Sequence, residues 1–291
     1  MMHRTKYHYK NLGEYIMIRR FKSLVAIMLV TALFASCAKT SESTADISTD
    51  TQDTIEEKEK VFIPAIGYYW AKEDGDSVYY FADKKLWKYD TVNASNEVVT
   101  ENLIDPYDFA VYDGTIFTLE NSGEEINPLR LYIYDAYADQ FDELMTFKNQ
   151  VHEIIISDHY LIATTDSKDA YEIYDITAPD TPKLVDVNDI EIVKDTPVVS
   201  TDEYNENIIY QDKSILSINQ LEADSIEVWG WNNNYAYASV TIQGDDKFYK
   251  INLKNTEEII NLPDDTAKVA VFEDTILTKN KDGSVEIDLE K

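Results

Sequence analysis

Hard oxygen ligands are the most frequent chemical groups this chain offers. Asp74-Gly75-Asp76, Asp166 with Asp169, Asp202-Glu203 and Asp245-Asp246 place carboxylates one to three residues apart on stretches that read as loops. Such pairs suit calcium, which takes six to eight oxygens in flexible geometry. None follows the twelve-residue calcium loop, so solvated turn residues are the competing reading. Calcium is the only cofactor these residues suggest. Signs of catalysis are absent, and no catalytic residue is assigned. Past the N-terminal segment the histidines are His152 and His159, seven residues apart around an expected strand. They form no His-x-x-x-His pair on a helix. The body contains no cysteine and no G-x-S-x-G elbow, which argues against zinc and against a nucleophilic hydrolase. A glycosidase would need carboxylates from separate strands meeting at one point, and the sequence cannot single them out. Aromatic pairs are the remaining candidates. Tyr68-Tyr69-Trp70, Trp229 with Trp231, and Tyr235 with Tyr237 could stack on a sugar or a peptide at a domain face. At a period of two, one side of each run should instead pack in the core.

Charge narrows the partners. The 291 residues carry 26 basic and 55 acidic side chains, a net −29. Six basic residues and one acid precede Cys37, so a chain beginning at Cys37 would carry −34. That field repels phosphate backbones and excludes nucleic acid as a natural partner. It favours solubility, or cationic partners.

The N-terminal region reads as an address. From Met17 the sequence is MIRRFKSLVAIMLVTALFASC. Arg19, Arg20 and Lys22 precede an apolar run from Leu24 to Phe34, long enough for a signal peptide and too short to span a bilayer. Leu33-Phe34-Ala35-Ser36-Cys37 resembles the bacterial lipobox, with Phe34 where Leu is usual. That resemblance implies cleavage before Cys37, lipidation of Cys37 and an extracytoplasmic, membrane-anchored protein. Residues 17–36 are then the signal. Residues 1–16 fit no part of it; Gly13-Glu14 could be a translated ribosome-binding site, so Met17 is the expected start and 1–16 an upstream extension. Residues 37–60 combine the lipidated Cys with a Ser/Thr/Asp/Glu-rich run that cannot offset its ordering entropy and reads as a tether.

Residues 61–291 read as one all-β domain. Short alternating runs rich in Tyr, Ile and Val lie between Asp, Asn and Gly clusters. Residues 110–118, AVYDGTIFT, and 270–278, AVFEDTILT, share five identities and lie 160 residues apart. Weaker copies are 155–163 and 229–237. An Asp or Asn closes a hydrophobic strand at Asp90, Asp135, Asp175, Asn219, Asn252 and Asp288, about 40 residues apart on average, the repeat length of a four-stranded propeller blade. These landmarks predict a β-propeller of about six blades, with a β-sandwich as the alternative. Val61-Phe62-Ile63-Pro64 is expected to supply the fourth strand of the last blade. Residues 190–207, interrupted by Pro197, fit worst.

Residues 171–185, YEIYDITAPDTPKLV, resemble the LVIVD repeat of bacterial and archaeal surface propellers. Tyr174-Asp175-Ile176-Thr177-Ala178-Pro179-Asp180-Thr181-Pro182 matches that pattern throughout. The resemblance implies a surface propeller and no particular activity. The functional expectation is a lipid-anchored binding or scaffold module for a protein or glycan. The alternatives are an interaction or sensing subunit of an envelope complex and, third, a carbohydrate-active enzyme.

Overall fold

The computed structural model describes residues 58–102, 106–120, 129–165 and 170–290. The leader, Cys37, most of the tether, Asp166 and Asp169 lie outside the described residues.

The regular structure of the described chain is almost all strand, in seven sheets. Sheet I runs β2 (Ala71–Asp74), β3 (Ser77–Ala82), β4 (Lys85–Asp90) and β5 (Ser95–Thr100). Sheet II is β6 (Pro106–Tyr112), β7 (Thr115–Glu120), β8 (Arg130–Asp135) and β9 (Gln140–Thr146). Sheet III is β10 (Val151–Ser157), β11 (Tyr160–Thr165), β12 (Tyr171–Asp175) and β13 (Lys183–Val185). Sheet IV pairs β1 (Glu59–Ile63) with β14 (Ile190–Lys194). Sheet V is β15 (Val199–Thr201), β16 (Asn207–Tyr210) and β17 (Lys213–Ser217), followed by a one-turn helix, α1 (Ile218–Leu221). Sheet VI is β18 (Ser225–Trp231), β19 (Tyr235–Ile242), β20 (Asp245–Asn252) and β21 (Ile259–Asn261), and sheet VII is β22 (Thr266–Val271), β23 (Thr275–Asn280) and β24 (Val285–Leu289). All but sheet IV are antiparallel meanders.

Both internal repeats fall on the same structural unit. Residues 110–118 and 270–278 each form the hairpin joining the first and second strands of a sheet, as do 155–163 and 229–237. The hairpin in sheet II turns on Asp113 and Gly114, both at positive φ (47° and 78°), where Gly is free of Cβ strain. The recurring Asp or Asn has an equally local cause. It ends the third strand and its side chain caps the turn that follows. Asp90 accepts from the amides of Val92 and Asn93, Asp135 from Tyr137 and Ala138, Asp175 from Thr177, and Asn252 from Lys254 and Asn255. Asn219 and Asp288 are the exceptions: Asp288 lies within β24, paired with Ile276, and Asn219 lies in α1, which Ser217 and Gln220 open with reciprocal capping bonds.

Burial follows strand order. The second strands are buried on both faces, as in β11 and β23, while the fourth strands β5, β13 and β21 are mostly exposed. Six buried clusters join neighbouring sheets. Val61 and Ile190 of sheet IV pack on Ile155 and Ile162 of sheet III. Phe117 and Leu131 of sheet II meet Ile154 and Leu161 of sheet III. Phe109 and Val111 of sheet II meet Tyr79 and Leu86 of sheet I. Sheet I packs Val78 and Tyr80 against Ala270 and Leu277 of sheet VII. Sheet VII meets sheet VI through Val271 and Phe248, and sheet VI meets sheet V through Val240 and Leu216. The order is therefore IV, III, II, I, VII, VI, V. Residues 195–198 then lead from β14 of sheet IV into β15 of sheet V, joining the two ends of that order.

One expectation fails. Val61–Ile63 do not complete the last sheet; they run parallel to Ile192–Lys194, and β24 has no fourth strand beside it among the described residues. The strand also starts at Glu59, inside the stretch read as tether. Val61 is fully buried against sheet III, and Phe62 N donates to Ser157 Oγ at 2.8 Å. The gain for β1 is thus a buried apolar contact beside sheet III.

Candidate functional site

The first strands converge on a cavity of about 580 Å³. Hairpin pairing identifies equivalent positions around it. Glu73, Val111, Ile156, Trp231 and Val271 each pair across a first-to-second-strand hairpin, with Val78, Ile116, Leu161, Ala236 and Ile276 respectively. All five line the cavity. Three are aliphatic; the two departures are a carboxylate and an indole. Chain links complete the wall: residues 64–68, between β1 and β2, and 195–198, between β14 and β15.

The link at 64–68 fits closely. Tyr68 donates its hydroxyl to the Trp229 carbonyl at 2.8 Å, and its ring meets Phe272 edge-on at 5.6 Å. Gly230 makes room for it: a Cβ there would stand 2.2 Å from the Tyr68 hydroxyl and 2.9 Å from Val271 Cβ. Gly230→Ala should therefore destabilise the fold by about 1–3 kcal/mol, the usual cost of overpacking, measured as a drop in the urea midpoint. Tyr68→Phe in the same background should recover part of the loss, because it removes the nearest atom.

A buried ion pair underlies the wall. Asp108 is fully buried, and its carboxylate accepts from Lys72 Nζ at 3.2 Å and from the amides of Phe109 (2.8 Å) and Ile154 (2.9 Å). Burial pushes the Asp108 carboxyl up, against the opposing pull of Lys72 and the two amides. Lys72 also points at the Ile154 carbonyl, 3.5 Å away. The three acids of the cavity lining, Glu73, Glu153 and Asp195, have no ion pair among the described residues. Burial raises the Glu153 pKa, Lys72 lowers it and Asp108 raises it again. Glu73 has an exposed side chain, yet lost hydration, then the charges of Glu273 and Asp274, push its carboxyl up.

Of the aromatic candidates, the structure brings only Tyr68 and Trp231 to the cavity. Trp70 is 3% exposed and packed between sheets I and VII, so it cannot meet a ligand. Trp229 is half-buried, donates to Ser239 Oγ at 2.9 Å and packs edge-on against Phe248. Tyr69 is exposed, away from the lining, with Lys268 Nζ 4.3 Å above its ring and bonded to its hydroxyl at 2.6 Å.

The candidate calcium ligands are dispersed. Asp74 spends a carboxylate oxygen on the Gly114 amide, tying the hairpin of sheet I to that of sheet II. Asp76 is exposed beside it. Asp245 and Asp246 lie in sheet VI, and Asp246 accepts from Thr241 Oγ1 at 2.7 Å. Among the described residues, the one group of three His or carboxylate residues whose ligand atoms lie within 4.8 Å of one another is Glu59, Asp158 and His159. Asp158 and Glu59 face opposite nitrogens of His159, at 2.8 and 3.8 Å, and Glu59 also accepts from the Tyr160 hydroxyl.

Sequence reasoning missed Lys72, Glu73, Glu153 and Asp195; Tyr68, named with Tyr69 and Trp70, does line the cavity. A usable sign existed for Glu73. Aligning the hairpins places it at a position that elsewhere holds Val or Ile.

No family model matches this chain, and no curated protein matches it. Among solved structures, the tricorn protease is similar over 77% of this chain, at 16% identity and a TM-score of 0.40, and the chain spans 26% of that protease chain. The computationally designed Ika4 protein is similar over 66% of this chain and 96% of its own, at 8% identity and a TM-score of 0.21. At such scores neither likeness carries an argument about fold or function.

Proposed function

We propose that the seven sheets are the blades of a β-propeller and that the chain is an extracytoplasmic binding module, lipid-anchored to the bacterial membrane at Cys37. Sheets IV, V and VII would be its reduced blades. The order of packing between sheets and the inward placing of first strands support the propeller. The lipobox-like run before Cys37 supports the anchor. The observation that carries the binding reading is the cavity itself, built from one strand of each of five sheets plus two chain links. Rigid strands hold its wall, and ligands favour such concave sites. Its lining has aliphatic, aromatic and acidic residues with Lys72 and Thr196 and, among the described residues, no His, Ser or Cys. Neutral hydrogen-bonding side chains for sugar hydroxyls are few, so a protein partner fits better than a glycan.

The test is capture from envelope extracts and glycan arrays by the full chain and by Val198→Trp. Val198 is 56% exposed and lines the cavity, so the indole should cover the opening without disturbing the core. Loss of a captured partner in the variant supports the reading; equal capture by both chains sinks it. Recovery of a membrane protein would make the chain a subunit of an envelope complex.

A second reading follows from Glu73, Glu153 and Asp195 sharing one cavity. Carboxylates from separate strands are what a glycosidase uses, and burial raises Glu153 as it raises a general acid. Release of chromophore from aryl glycosides, abolished in Glu153→Gln, would establish it.

A further inference from the structure

The charges of the cavity are unbalanced. Lys72 is the one basic residue in its described lining, and its ammonium is committed to Asp108 at 3.2 Å and to the Ile154 carbonyl. Among the described residues Glu73, Glu153 and Asp195 form no ion pair, and the one cation that acts on Glu153, Lys72, is shared with Asp108. Glu153 is half-buried against the backbone of the 64–68 link: a Cβ on Gly67 would lie 2.0 Å from its Oε1. A half-buried carboxylate that shares its cation with a fully buried acid is under-compensated, and a bound cation would lower that cost.

The aromatic groups point the same way. Trp231, Tyr68 and Phe272 line the same cavity, all half-buried. Their faces attract an organic cation, which is less strongly hydrated than a metal ion. Elsewhere on this domain the pairing is already internal: Lys250 Nζ stands 3.9 Å from the Tyr235 ring centroid and Lys268 Nζ 4.3 Å from that of Tyr69. In the cavity no described lysine fills that role over Trp231 or Tyr68. The five equivalent hairpin positions give a separate argument. Val111, Ile156 and Val271 are what packing alone asks for, and the two departures, Glu73 and Trp231, are an anion and an aromatic facing one space.

We propose that this cavity seats an organic ammonium group, with Glu153 and Glu73 as counter-charges and Trp231 and Tyr68 as aromatic walls. The inference rests on the binding-module reading above. Two sources share the chemistry: a lysine side chain of a partner protein and a free polyamine.

The full chain is titrated with spermidine and with an N-acetylated pentalysine amide, and with magnesium chloride as the control for diffuse attraction to a negative surface. Heat and tryptophan fluorescence are followed at about 150 mM salt, where exposed charges are largely screened. Saturable binding is expected, weakened about tenfold in Glu153→Gln and in Glu73→Gln, as loss of roughly 1.4 kcal/mol per contact would give. It should be unchanged in Asp245→Asn, on the far hairpin of sheet VI. Spermidine alone identifies a free polyamine, pentalysine alone a protein lysine, and binding of both a site that reads the ammonium itself; each supports the proposal. It is overturned if neither probe saturates, if Asp245→Asn weakens binding as much as Glu153→Gln, or if magnesium displaces the probes at equal concentration. If the probes fail while Val198→Trp still abolishes partner capture, the cavity remains the binding site and only the ammonium assignment falls.

Discussion

Asp108→Ala is expected to lower the free energy of unfolding by about 3–5 kcal/mol, the cost of breaking a buried ion pair by removing one partner. The loss would be large because three donors converge on this carboxylate. Lys72 would keep a charge in a wall where its side chain is 16% exposed, and the amides of Phe109 and Ile154 would lose their acceptor. Those amides belong to the first strands of sheets II and III, so the damage falls on the packing between them. Asp108→Asn keeps one acceptor oxygen and should recover about half of the loss. Urea unfolding of the three proteins measures both effects. A loss under about 1 kcal/mol for the alanine variant would show that Lys72 finds another anion, with Glu153, on which its charge already acts, the candidate in the lining.

Alkaline pH is the second strong lever. Burial pushes the phenols of Tyr68, Tyr79 and Tyr160 up to about 12. Tyr174 and Tyr237 rise further, by burial followed in Tyr174 by its bond to Glu172 and in Tyr237 by the charge of Glu290. The unfolded chain releases these protons near pH 10, while the folded chain holds them to about pH 12. The folded state therefore binds more protons in that window, and stability falls as pH rises from 10 to 12; below 10 these groups leave it unchanged. For Tyr68, the one of the three that lines the cavity, the two-unit shift amounts to about 2–3 kcal/mol. Cooperative loss of near-ultraviolet circular dichroism is expected between pH 10 and 12. Tyr68→Phe should be about 1 kcal/mol less stable than the parent at pH 7, for want of the bond to the Trp229 carbonyl, and the more stable of the two by pH 12. Parallel stability curves for the two proteins would remove Tyr68 as a cause.

Much of the fold was legible because its causes are local. A turn that needs positive φ writes Asp113-Gly114 into the sequence, and a capped turn after a third strand writes Asp90, Asp135, Asp175 and Asn252. The prolines of the repeat-like stretch, Pro179 and Pro182, fall between β12 and β13, ending one strand and aiming the next. The pairing of β1 with β14 was not legible. Its partners are more than 120 residues apart, and nothing in Val61-Phe62-Ile63 distinguishes one open strand edge from another. The cavity was hidden for a similar reason. Glu73 and Glu153 look like two of many surface acids until hairpin register places both in the same lining. Trp70 and Trp231 illustrate the limit for aromatics: both sit in Tyr- and Trp-rich runs, and only the sheet each faces decides that one is core and the other wall.

The parallel seating of β1 also has a mechanical meaning. Any pull carried from residues before Lys58 enters the domain at this strand. Five register pairs, Glu59 with Ile190 through Ile63 with Lys194, lie side by side along it. Tension along the strand loads them together in shear instead of peeling them one by one. The bond from Phe62 N to Ser157 Oγ shares the load with sheet III. Residues 64–68, which shape the cavity, come after this clamp in the chain. Movement of the preceding chain can therefore be absorbed at β1, leaving the cavity wall unstrained.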